Sequence, residues 1–157
     1  MAQQSDASAG HGRPYGSLAV QSILGGIVMY LVMFVMIDGL GSFYNNLNMF
    51  YMTLMMVAPM VVFMILGMRR MFPSKSANAA WLFGAVLVFA GAYALIRTQT
   101  TIDDRAFLRS MIPHHSGAIL MCGQASLRDA EVRELCDGIV DSQRREIEQM
   151  EEILARL

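Results

Sequence analysis

The segment Met111-Ile-Pro-His-His-Ser-Gly-Ala-Ile-Leu-Met121-Cys122 gathers two thioether sulfurs, two imidazoles and one thiol into twelve residues. Thioether and thiolate sulfur select soft cations such as Cu(I), and imidazole also suits Cu(II) and zinc, so copper is the ion this donor set points to. On a helix turning about 100° per residue, Met111, His115 and Cys122 fall within about 40° of one another, and His114 falls within about 20° of Met121. Adjacent histidines point about 100° apart, so His114 and His115 serve one metal only if the helix bends or one of them reaches into a partner. Pro113 supplies a bend. The competing reading makes Met111 and Met121 filling for a helical core, with both histidines as partly exposed polar residues beside a proline.

Two residues further along the chain bear on this cluster. Gln143 interrupts an otherwise apolar helical stripe, and an antiparallel pairing through a turn near residue 128 sets it opposite His114. There it would orient an imidazole from behind, as outer partners of metal ligands do. The same pairing sets Cys122 near Cys136, which allows either a disulfide across the two helices or two thiol ligands.

The elements that must position these groups lie in residues 98–157. Thr101 or Asp103 is the expected N-cap of a first amphipathic helix carrying Phe107, Leu108, Met111, Ala118 and Cys122. Residues 126–130 (SLRDA) break it. A second helix from about 131 to 157 places Val132, Leu135, Cys136, Ile139, Gln143, Ile147, Met150, Leu154 and Leu157 on one stripe, so the two helices form a hairpin.

The rest of the chain is of another kind. Of the 157 residues 55% are hydrophobic and only 16% charged, too apolar for an ordinary soluble domain. Residues 1–97 hold Arg13, Arg69, Arg70, Lys75 and Arg97 against Asp6 and Asp38, whereas residues 98–157 hold eleven acids and seven arginines. Residues 1–17 are polar and Gly-rich and read as a mobile, disordered terminus. Three apolar runs, 18–37, 49–68 and 79–96, are each long enough to cross a bilayer as a helix. The first is longer than a secretory h-region and lacks a small-residue cleavage site. Pro59 is expected to kink the second, and Trp81 and Tyr93 sit near the ends of the third, where amphipathic rings prefer the headgroups. Three cations in residues 69–78 against none in 39–48 put the second connection in the cytoplasm; the N-terminus is then cytoplasmic and the tail outside. Arg97, Arg105 and Arg109 pull the other way.

The second run also carries Met49, Met52, Met55, Met56, Met60, Met64 and Met68, which suggests a small Cu(I) conduit, although methionine is equally a lipid-facing and gap-filling residue. Near-neutral charge and an acidic tail offer no face for nucleic acid. No nucleophile elbow, H-E-x-x-H, Walker A or paired Glu-x-x-His is present, so no enzyme is expected.

Phe107-Leu-Arg-Ser-Met111-Ile-Pro-His114-His115, followed by Ala118, Met121 and Gln143-Arg-Arg-Glu-Ile147-Glu-Gln-Met150, resembles the domain of unknown function 305 family, a ferritin-like helical family with M-x-x-H-H motifs. The resemblance covers about residues 98–157. It implies an extracytoplasmic bacterial domain, some of whose members bind copper or silver and support copper tolerance, with Met111, His114, His115, Met121 and Met150 at the matching positions. Longer members look like two tandem hairpins closing a four-helix bundle, and this chain has only one. A second stripe on the first tail helix, Leu108, Ile112 and Ile119, would stay wet in a lone hairpin, so a homodimer that rebuilds the bundle is expected.

The expected protein is therefore all-α: three transmembrane helices in the lipid of a bacterial inner membrane, followed by a helical hairpin that is half of a ferritin-like four-helix bundle. Its expected role is to bind copper, Cu(I) favoured, in extracytoplasmic copper handling or tolerance. The alternative is a structural or accessory membrane subunit whose hairpin mediates protein–protein interaction without metal.

Overall fold

The computed structural model describes residues 6–157, with side chains from Pro14 onward. Five α-helices follow one another: α1 (Asp6–Val32), α2 (Leu47–Gly67), α3 (Lys75–Thr98), α4 (Asp104–Gln124) and α5 (Ala130–Arg156). Two short 3-10 turns, Met33–Met36 and Leu40–Ser42, connect α1 to α2, and no strand occurs among the described residues. The chain forms two compact units. One comprises the chain up to Tyr30 with Phe50–Gln99, and the other Leu31–Met49 with Thr100–Leu157.

Three helical stretches, Pro14–Met36, Leu47–Gly67 and Lys75–Thr98, most of whose residues belong to the first unit, are long and apolar enough to cross a membrane. Their boundaries lie within a few residues of the runs read from the sequence. Their packed faces are built from small and branched residues, Ala58, Val61, Ile65, Ala85 and Ala92, while Phe63, Phe83 and Val86 point outward. That inversion suits helices whose outer surface meets hydrocarbon and whose contacts depend on close approach. Gly26 is where approach is tightest: a Cβ there would lie 3.3 Å from Val57 Cγ2. Helix α2 runs through Pro59 without interruption.

The terminus expected to be mobile over residues 1–17 is helical from Asp6 onward, and its first five residues lie outside the described residues. Tyr15 shows why the helix extends. Its hydroxyl lies 2.8 Å from Asn78 Oδ1 and accepts from the Ser74 amide at 3.2 Å, and its ring packs on Phe72 at 5.3 Å. Polar composition suggested a loose end, but one aromatic side chain tethers it. Ser74 also caps α3, accepting from the Ala77 amide.

The second unit is organised by α4 and α5. Asp103, not Thr101, caps α4 through the Ala106 amide at 2.8 Å, and Asp129 caps α5 through the Val132 amide at 3.1 Å. Cys122 pairs with Cys136, His115 with Glu146, and Leu108 and Ile112 cluster with Met150. The reversed order of these partners makes the helices antiparallel. The expected stripe on α5 is only partly used: Met150 is buried, Ile147 and Leu154 pack against the cluster, and Val132, Leu135 and Leu157 are exposed.

Residues 31–49 pack on α4, which the sequence did not suggest. The Asp38 amide donates to Ser116 Oγ at 2.7 Å, Asn48 Nδ2 donates to Ser110 Oγ at 3.2 Å, and Tyr44 reaches Glu151 Oε1 at 3.4 Å. Burial, reinforced by the charge on Glu151, pushes the Tyr44 phenol upward. Within this unit Leu108, Ile112 and Ile119, expected to be wet in a monomer, are buried at 7%, 0% and 6% exposure. The stripe therefore leaves no exposed patch for a second copy to cover. Hairpin geometry alone hid the third partner of α4, an interhelical loop that folds back onto it.

Candidate metal centre on the tail helices

The residues of the M-x-x-H-H segment divide into three environments. Met111 and Met150 belong to the apolar cluster around Leu108 and Ile112, with Met150 buried and Met111 packed at its edge. Helical spacing put Met111, His115 and Cys122 on one face, and that face is committed to holding α4 and α5 together.

Cys122 is the clearest departure from the expected donor set. It forms a disulfide with Cys136, with Cα atoms 5.4 Å apart, so its sulfur is no thiolate ligand. Of the two arrangements that the spacing allowed, the covalent one is present.

His115 is 8% exposed and bonded through both ring nitrogens. Nδ1 lies 2.9 Å from the Met111 carbonyl oxygen, one helical turn back, and Nε2 lies 2.7 Å from Glu146 Oε2. A carbonyl can only accept, so Nδ1 carries a proton. Glu146 is held below the usual carboxylate range, first by the Ser142 hydroxyl donating to Oε1 at 2.7 Å and then by its bond to His115. Nε2 shares a short hydrogen bond with the Glu146 carboxylate. Both nitrogens are therefore already engaged within the protein. His115 could become a ligand only by releasing Glu146, with Nδ1–H still fixed on Met111 as metal-bound imidazoles commonly are.

Glu146, rather than Gln143, is thus the residue of α5 that grips a histidine of α4, and the histidine is His115 rather than His114. Gln143 is half-buried, three residues away. Glu146 escaped notice because it sits in an Arg-Arg-Glu-Ile-Glu run that reads as a solvated face. Only its spacing of three from Gln143 hinted that it shares the inward stripe.

His114 and Met121 are different. Both are exposed, and His114 makes no hydrogen bond among the described residues; its ring meets that of His115 edge-on at 6.0 Å. Two soft donors therefore stand unbonded on one side of α4. Among the described residues no group of three or more His, Cys, Asp or Glu side chains converges as a metal site.

Residues 91–154 match the family model described as "Domain of unknown function (DUF305)". The chain is also 34% identical over 119 residues to "Uncharacterized protein L153" of Acanthamoeba polyphaga mimivirus, an alignment covering 74% of this chain and 76% of that relative. This alignment is longer than the matched domain and so runs beyond it. No solved structure matches. The chain belongs to one family with this mimivirus protein, and its residues 91–154, which take in α4 and nearly all of α5, are a DUF305 domain.

Proposed function

We propose that the protein is a membrane-anchored binder of soft metal, copper and by the same chemistry silver, acting in extracytoplasmic metal handling or tolerance. The observation that carries this reading is the exposure of His114 and Met121 on a helix whose other histidine, His115, is bonded through both ring nitrogens. A solvent-facing thioether and an unbonded imidazole suit Cu(I). The anchor is the three-helix region in a cytoplasmic membrane, with residues 69–78 inside. Placement of the tail outside is supported by the Cys122–Cys136 disulfide, a bond that persists in oxidising compartments. The finer architecture we infer for α4 and α5 is half of a ferritin-like four-helix bundle, with residues 31–49 taking the place of a second hairpin on α4.

A second reading has an observation of its own. Met111, His115, Cys122 and Met150 serve packing, and Val132 and Leu135 are exposed on α5, as in a module that docks on another membrane subunit without metal. Copper retention separates the two. Purified protein loaded with Cu(I) should keep it through gel filtration, and His114→Ala should lose it. Equal behaviour of the two proteins favours the docking module.

A further inference from the structure

The first 3-10 turn, Met33–Met36, brings a third soft donor to α4 from outside the matched family segment. Two contacts fix it there. Gly117 leaves a notch in the helix surface: a Cβ at that position would lie 3.4 Å from the Met36 carbonyl oxygen and 3.9 Å from Met36 Cβ. Two residues further on, the Asp38 amide is held by the fully buried Ser116 hydroxyl at 2.7 Å. Met36 is therefore seated against Gly117 while remaining 45% exposed.

Gly117 lies between His114 and Met121 along α4. His114 precedes it by about 4.5 Å along the axis and Met121 follows it by about 6 Å, at the helical rise of 1.5 Å per residue. At about 100° per residue both fall on the same flank of Gly117, within about 60° of it and about 20° of each other. One imidazole and two thioethers, all exposed, thus lie along one flank of α4, with His114 and Met121 about 10.5 Å apart along the axis and Met36 seated between them at Gly117. The face of α4 carrying Met111 and His115 has no comparable set, because its donors are buried or bonded.

We propose that Met36, His114 and Met121 bind one soft monovalent cation of the Cu(I) class through two thioether sulfurs and one imidazole nitrogen, at the junction of the first interhelical connection with α4. Neutral ligands in this number suit Cu(I), and no proton has to leave them except from a histidine already cationic. The inference rests on the soft-metal reading above and adds that the site is incomplete without the connection between α1 and α2. Metal bound there would tie α4 to the end of a membrane-spanning segment.

The test is anaerobic competition for Cu(I) between the full chain in detergent and a chromophoric Cu(I) chelator, with X-ray absorption of the loaded protein. Met36→Leu should weaken binding by at least about tenfold, the lower range for perturbing even an outer partner of a metal ligand. It should also reduce the sulfur count at copper from two to one. Met71→Leu, at an exposed methionine elsewhere, should match the wild type in both. Wild-type affinity and sulfur count in Met36→Leu, with His114→Ala still deficient, would overturn the three-residue site and leave the soft-metal reading standing. A wild type that takes no Cu(I) from the chelator would overturn both. Retained exchange protection of the Asp38 amide in Met36→Leu shows that the loop is still seated, so that a loss of affinity is a loss of the ligand.

Discussion

His115 Nε2 lies 2.7 Å from Glu146 Oε2, so the histidine nearest the centre of the family motif is a strut between α4 and α5. Its other nitrogen is bonded to the Met111 carbonyl within its own helix, which leaves the ring fully occupied. Glu146 has a folded-state pKa below its ordinary value of 4.5. Its contribution to stability is therefore fully present above pH 4.5 and is lost as pH falls through the lower folded value. Thermal unfolding of the wild type should therefore weaken more steeply below pH 4.5 than that of Glu146→Gln. Parallel curves for the two proteins would remove the carboxylate from the strut.

Ile112→Glu should act on folding. Ile112 is wholly buried within a single chain, and a carboxylate there has no partner. Burying an unpaired charge belongs to the few changes that destabilise by more than about 3 kcal/mol. Limited proteolysis should cut residues 100–157 in this variant under conditions that leave the wild type intact. A folded variant with a changed assembly state would restore Ile112 as an intermolecular contact.

The seating of residues 31–49 on α4 can be tested at one hydroxyl. Ser116→Ala removes the acceptor of the Asp38 amide and should cost about 1 kcal/mol, with faster hydrogen exchange at Asp38. Unchanged exchange at Asp38 would mean that the loop is held without this bond.

Removing the disulfide should loosen the tail without undoing the membrane helices. Cys122 and Cys136 are 14 residues apart, a loop for which cross-linking is worth about 3 kcal/mol. The double variant Cys122→Ser with Cys136→Ser should show a lower unfolding midpoint for the tail. In non-reducing preparations the wild type should give no reaction with maleimide, and a stoichiometric reaction would place the thiols in the reduced state.

Topology can be read with single cysteines in that double-serine background. Gly41 and Ser76 are both exposed, and the proposed orientation puts Gly41 outside and Ser76 inside. Gly41→Cys should react with a membrane-impermeant thiol reagent in intact cells and Ser76→Cys should not. The opposite pattern would invert the protein in the membrane.

Apolar run length made the membrane helices legible, since a stretch of about twenty uncharged residues has few other uses. Periodicity and caps placed α4 and α5, and Asp103 ended up as the cap because its carboxylate reaches the Ala106 amide. Spacing also brought Cys122 to Cys136. What spacing could not show was competition for the same face of α4. Leu108 and Ile112 read as a surplus stripe, yet they pack on Met150, Ile147 and Leu154 of α5, and Tyr44 joins them from a loop more than sixty residues away in sequence that has no periodicity. Tyr15 was missed for the same reason, its partners Ser74 and Asn78 being equally remote. Within the site, donor chemistry was readable but engagement was not. His114 and His115 are neighbours of identical type, and only the position of Glu146 separates a bonded ring from a free one.

Metal analysis of the purified full chain, after anaerobic loading and gel filtration, decides whether the exposed soft donors of α4 bind Cu(I). The wild type should hold about one copper per chain, and the double variant His114→Ala with Met121→Leu none above background, while His115→Ala still retains the ion. Equal copper in the wild type and in His114→Ala with Met121→Leu, or none in either, would contradict binding by those donors.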